Sequence, residues 1–258
     1  MINTLKNFAR YLPLLREVVN KEITTKYRRS ILGYLWSMLN PLLMMLVVSA
    51  VFSYIFRNNI ENYRIYLIIG QTFWGFFSEA TNHAMSSLLD NRALLQKVYI
   101  PKYIFPLSKV LGAFVNLLYS LLAIVIVIIF TRTPIYPTIT LVPIGMFYIL
   151  LFCIGLGLML SIIAVYFRDM LHLYKVMLTA WMYLTPIFYS VDSLSPNMMR
   201  FVKMNPLYFY ITYFRKIILW GKIPTVVDNA VCLGWGVALT IIGLVFFRNR
   251  QDGIVLYI

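Results

Sequence analysis

The feature that most constrains this chain is a series of long stretches without a single charge. Ser30–Phe56, Val110–Thr131, Thr133–Phe167 and Asn229–Phe247 carry no Asp, Glu, Lys or Arg. A helix needs about 20 apolar residues to cross roughly 30 Å of hydrocarbon, and each stretch is long enough to do so. In lipid every backbone N–H and C=O must be satisfied within the chain, so the fold class expected is all-α. The charged fraction of 12% and the hydrophobic fraction of 61% exclude a water-facing globular domain of 258 residues.

Two further spans are weaker in sequence. Ile65 to about Leu89 is apolar but interrupted by Glu79 and His83, and Val176–Val191 is short and contains Pro186. Six transmembrane helices result. Asn40-Pro41 marks a kink in span one, and Pro134, Pro137 and Pro143 mark the turn into span four. Gly155 and Gly157 in span four allow close approach of a neighbouring helix. Between spans five and six, Ser195-Pro196 and Asn205-Pro206 each pair an N-cap residue with a proline at the first helical position, and Gly221 supplies a C-cap. Two short amphipathic helices are expected there.

The formal net charge of +14 suits either nucleic acid or anionic lipid headgroups. Placement decides for lipid, because Lys6, Arg10, Arg16, Lys21, Lys26, Arg28 and Arg29 crowd the segment just before the first span. With the N-terminus inside, fifteen of the 23 Lys and Arg residues fall on the cytoplasmic side, which favours both termini in the cytoplasm. Residues 1–29 read as a cytoplasmic segment and 30–258 as the transmembrane domain. Within the former, Leu15, Val18, Val19 and Ile23 recur at helical spacing while Arg16, Glu17 and Lys21 fall elsewhere, so Pro13–Tyr27 is expected as an amphipathic helix on the membrane surface. Charges run through the first 29 residues, with no apolar core leading to a cleavage site, so a cleaved signal peptide is not expected.

Catalytic chemistry finds little footing. No G-x-x-x-x-G-K-[S/T] phosphate loop occurs, so ATP hydrolysis by that route is excluded for this chain. Cys153 and Cys232 lie in apolar runs and read as small hydrophobes, with neither a disulfide nor a metal site indicated. Glu79 and His83, four residues apart, are ionisable groups within a span; an interhelical hydrogen bond is the favoured reading and a proton relay a minor one. The connection from Ser87 to Pro106 mixes basic and apolar residues. Its Leu94, Leu95 and Val98 form one face of a short helix fit for a groove on a cytoplasmic partner, with an interfacial helix as the alternative.

Aromatic residues gather toward the outer ends of spans: Phe52 and Phe56 in span one, Phe73, Trp74 and Phe77 in span two, Phe188 and Tyr189 in span five. Such rings form either an interfacial belt or a lining whose flat faces let sugar rings slide. Phe188 follows Trp181 by one heptad, so the two are expected to present rings to a common axis.

The stretches "KYRRSILGYLWSMLNPLL" (Lys26–Leu43), "LLQKVYIPKYIFPLS" (Leu94–Ser108), "FRD" (Phe167–Asp169), "TPIFYS" (Thr185–Ser190) and "NPLYFY" (Asn205–Tyr210) together resemble the polysaccharide-export permeases of the type-2 ABC transporters. The resemblance runs from about Lys21 to the C-terminus. It implies a bacterial inner-membrane protein, a homodimer with a pore along its axis, and two copies of a separate ATPase subunit that carries the ATP and Mg. This chain itself then holds no cofactor. It further implies a coupling helix within Ser87–Tyr103, with Leu94, Leu95, Lys97, Val98 and Tyr99 as docking residues, an interface helix at Pro13–Tyr27 and outer gate helices within Asp192–Gly221. The implied substrate is a polymer on an undecaprenyl-type diphosphate lipid. Arg28 and Arg29 are then phosphate contacts, and Phe52, Phe56, Trp181, Phe188 and Tyr189 candidates for the pathway. Teichoic acid export, export of a drug or small lipid, and a membrane transferase acting on lipid-linked sugars are the competing readings.

Overall fold

The computed structural model describes residues 2–27, 31–56, 60, 62–98, 100–191 and 194–254. Arg28, Arg29 and Tyr99 lie outside the described residues, as does the side chain of Phe56. The described chain folds into α-helices in the order α1 (Ile2–Tyr27), α2 (Leu35–Phe56), α3 (Tyr63–Asp90), α4 (Arg92–Lys97), α5 (Ile104–Thr131), α6 (Val142–Tyr166), α7 (Met170–Leu184), α8 (Pro196–Met204), α9 (Pro206–Ile218) and α10 (Val226–Arg250). A 3₁₀ turn, Pro137–Leu141, leads into α6.

Among the described residues, four segments are long and apolar enough to cross a membrane: α2, α5, the 3₁₀ turn with α6, and α10. Helix α3 has the length, at 28 residues, but its polar face lowers its hydropathy; α7 has only 15 residues. The protein is thus an all-helical integral membrane protein, and α3 and α7 differ from the other spans read from sequence for physical reasons. A helix enclosed by other helices is free to carry polar residues, and α3 is enclosed by α5, α6 and α2. Helix α7 stops because Pro186 cannot continue it, and Thr185 adopts an extended backbone.

Local chemistry sets the other boundaries. Asn205 caps α9 by accepting a hydrogen bond from the Leu207 N–H, with Pro206 at the first helical position. Thr225 and Asp228 form a reciprocal capping box at the start of α10. Arg132 ends α5 in the left-handed region at φ 52°, its N–H turned back to the Ile128 and Ile129 carbonyls. The two helix-start dipeptides thus give α8 and α9 as read from sequence. Helix α9 buries one face, Leu207, Ile211, Phe214 and Ile218, against α3, α6 and α10.

Helices α6 and α10 form the most extensive pairing in the fold. A methyl group added at Gly155 would land on the backbone of Leu239 and Thr240, and one at Gly243 on the backbone of Gly155. Glycine at both positions lets the two backbones touch. Gly157 serves a different neighbour, since a Cβ there would lie 2.9 Å from that of Ala84 in α3. At the other extreme, only 11% of the apolar window of α2 is buried, against 61% for the segment containing α6. Helix α1 lies along α5 with Leu15 buried, Val18, Val19 and Ile23 half-buried, and Arg16, Glu17 and Lys21 exposed, as the amphipathic spacing predicts.

Candidate functional site

Helices α2, α3, α5 and α7 enclose a groove of about 960 Å³. Its two long walls differ in chemistry. The α2 wall offers Trp36, Pro41, Met44 and Val48, whereas the α3 wall offers Gln71, Thr72, Gly75, Ser78, Glu79 and Asn82. The polar residues of α3 recur every three or four positions, which places them on one helical face. One end of the groove carries Lys26, paired with Glu79, together with His83 and Lys175; Ile187 and Phe188 lie toward the other.

A second cavity of about 240 Å³ lies beneath α1. Lys26, Glu79, His83, Ala113 and Asn116 line both spaces and form the partition between them. Lys26 Nζ pairs with Glu79 Oε1 at 2.8 Å, and the same oxygen accepts from Asn116 Nδ2 at 2.7 Å. One turn earlier on α1, Glu22 pairs with Lys109 at 2.7 Å. Asn116 is approached at 3.5 Å by the Ser37 hydroxyl, and the Ser120 hydroxyl donates to the Ser37 carbonyl. A chain of polar contacts thus ties α1 to α3 and α5, and α5 to α2. The Glu79 carboxylate, read from sequence beside His83 alone, has its direct partners on α1 and α5. Neither partner could be found from spacing, because both are distant in sequence.

The aromatic candidates separate into two groups. Phe188 lines the groove and stacks on Phe52, ring centroids 6.3 Å apart. Tyr189 holds the same loop, its carbonyl accepting from the Tyr66 hydroxyl at 2.7 Å and its own hydroxyl donating to the Tyr183 carbonyl. Trp181 points elsewhere: its Nε1 donates to Asn205 Oδ1 at 2.8 Å and its ring meets the edge of Phe77. The heptad relation of Trp181 to Phe188 fails because α7 ends at Leu184, so helical spacing does not extend across Pro186.

The short helix α4 divides its residues. Leu94 and Val98 are 41% and 50% exposed, and Lys97 is exposed beside them. Leu95 turns inward onto a cluster of Leu88, Phe105, Phe247 and Ile254. The single apolar face read from sequence is therefore two faces. The chain just beyond α10 supports this loop, with Ile254 fully buried and Lys102 Nζ donating to the Gln251 carbonyl oxygen.

Arg215, a charge between spans five and six that the sequence did not single out, is 2% exposed. Its Nη1 donates to the Pro186 carbonyl at 2.7 Å, and its Nη2 to the Tyr66 and Ile187 carbonyls at 3.2 Å each. The guanidinium also stacks over the Tyr66 ring. A signal was present: Arg215 follows Ile211 by four residues and Leu207 by eight, on the apolar stripe of α9. Gln71 and Thr72 were also missed, being single polar residues in an apolar run. Among the described residues, no group of His, Cys, Asp and Glu has the arrangement of a metal site.

Residues 13–219, from within α1 to just past the end of α9, match the sequence profile described as ABC-2 type transporter. The chain belongs to the ABC-2 type transporter membrane family. This ABC-2 chain is 29% identical over 255 residues, 98% of each chain, to the O-antigen export system permease protein RfbA of Myxococcus xanthus. It is 27% identical over 246 residues, 95% of each, to the protein of the same name from Klebsiella pneumoniae. Similarity also extends to the polysialic acid transport protein KpsM of Escherichia coli, at 23% over 243 residues, 91% of this chain and 92% of the relative. The match to the Myxococcus xanthus protein, over 98% of this chain, extends past the profile region into α10.

Proposed function

We propose that this chain is the membrane-spanning permease subunit of an ATP-driven exporter that carries a lipid-linked, O-antigen-type polysaccharide across the bacterial inner membrane. The observation that carries this is similarity over 98% of both chains to an O-antigen export permease. The groove is consistent with it, because a polymer needs a passage open along its length rather than a closed pocket. ATP and Mg belong to a separate ATPase subunit, two copies of which serve a homodimer of this chain. That assignment rests on family membership and on the absence of a phosphate loop from the sequence.

In this reading α2, α3, α5, α6, α7 and α10 are the six spans, with both termini cytoplasmic. Residues 1–29 form a cytoplasmic segment whose helix α1 lies at the interface, and α8 and α9 are the outer gate helices. The exposed edge of α4, Leu94, Lys97 and Val98, docks into the ATPase, and Leu95 holds that edge in place. Arg28 and Arg29 are contacts for the lipid diphosphate. The stacked Phe52 and Phe188 lie toward the exit.

The test is a gene deletion followed by analysis of lipid-linked glycans. Accumulation of an undecaprenyl-linked polymer inside the cell, with its loss from the surface and its return on complementation, is the expected result. Normal surface glycan in the deletion strain would reject the reading.

A further inference from the structure

We propose that Gln71, Thr72 and Gly75 on the α3 wall form a subsite that takes the hydroxyl-bearing sugar rings of the transported chain, a proposal that rests on the export reading above. Gln71 Oε1 and Thr72 Oγ1 are buried with no hydrogen-bond partner among the described residues, and Thr72 is 4% exposed. Buried polar atoms almost always have partners, so two adjacent exceptions lining one groove call for an occupant that supplies them. Gly75 lies on the same face, four residues after Gln71, and a Cβ built there meets nothing within 4 Å. The groove is therefore open at Gly75, one turn along the helical face that carries Gln71.

The chemistry of the wall selects the occupant. An acyl chain would leave both oxygens unpaired, at the full cost of their desolvation. A phosphate could accept from the Thr72 hydroxyl but would leave Gln71 Oε1 unpaired, and the lysines of the groove, Lys26 paired with Glu79 and Lys175, line its other end. A sugar ring presents hydroxyl donors along its edge and C–H groups on its face. The donors suit Gln71 and Thr72, and the C–H face suits the apolar side chains Met44 and Val48 that α2 brings to the groove. The α3 stripe then acts as a track on which successive residues of the polymer exchange hydrogen bonds.

The experiment uses the full exporter in the deletion host, with surface glycan normalised to membrane abundance and to co-purifying ATPase. Gly75→Leu and Gly75→Trp fill open space, so assembly is retained and surface glycan falls to the level of the deletion host. Gly234→Leu is the matched control: Gly234 on α10 is exposed, meets nothing within 4 Å and does not line the groove, so its export is unchanged. The double variant Gln71→Met, Thr72→Val lowers export about ten-fold, as expected for losing one or two hydrogen bonds, while Thr72→Ser alone preserves it. Gly75→Cys provides a readout without bulk and reacts with a hydrophilic maleimide. Undiminished export by Gly75→Trp and by the double variant, with a wild-type chain that exports, would overturn the subsite and leave the export reading standing. A wild-type chain that restores no glycan would defeat both. Loss of self-crosslinking in Gly75→Trp would assign the groove to a second copy of the chain and overturn the proposal.

Discussion

A single cation illustrates how much one residue can organise. Arg215 joins α9 to α3 and to the loop that follows α7, through three carbonyl oxygens and one aromatic face. A planar guanidinium serves several acceptors at fixed angles, which an ammonium cannot do. Arg215→Lys should therefore lose part of the set, at about 1.5–3 kcal/mol for each charged hydrogen bond, read as a lower unfolding temperature in detergent. Gly70→Ala should act in the same direction, because its new methyl would sit 2.9 Å from Arg215 Nη2. An unchanged melting temperature in both variants would contradict this role. Arg215 was legible as a charge on an apolar stripe, but its partners are carbonyls, which any sequence supplies and none advertises. The same holds for Glu79, whose position in a span drew attention while Lys26 and Asn116 did not.

At the scale of elements, the sequence was most readable where one residue type has one local use. Ser195-Pro196 and Asn205-Pro206 gave their helices directly, because caps act within a few residues, and the spacing of Pro13–Tyr27 gave the amphipathic part of α1, which begins eleven residues earlier at Ile2. Helix α4 was readable only in part. Leu94, Leu95 and Val98 are equivalent by composition, yet the cluster around Ile254 takes Leu95 and leaves the other two outside. The structure therefore divides the loop proposed to dock the ATPase into two predictions. Leu94→Asp with Val98→Asp should abolish co-purification of the ATPase while the melting temperature of the permease holds. Leu95→Asp should lower the melting temperature itself, because it sets a carboxylate against the cluster of Leu88, Phe105 and Ile254. The reverse pattern would exchange the two roles.

For the whole molecule, class and membrane residence were legible from the uncharged runs, whereas the pairing of helices was not. Apolar faces in lipid look alike, and tight pairs are chosen by small residues that bring backbones together. Gly155 was visible as such a residue, but its partners Leu239, Thr240 and Gly243 lie more than eighty positions away. Gly155→Leu should force α6 and α10 apart and cost at least the 1–3 kcal/mol of an overpacked core, seen as loss of monodisperse protein after extraction. Normal yield and melting would show that the contact is dispensable.

The sparse burial of α2 has a mechanical consequence. A helix with few internal neighbours opens at low free energy, whereas one locked backbone to backbone opens only with the whole fold. In reconstituted protein, amide deuteration should reach α2 well before α6 and α10; equal protection across the three would contradict this. The groove then has one stiff side and one compliant side. If the groove carries the proposed polymer, its aperture dilates by displacement of α2 while the α3 ladder of polar groups keeps its register, so that calibre and grip are set by different helices.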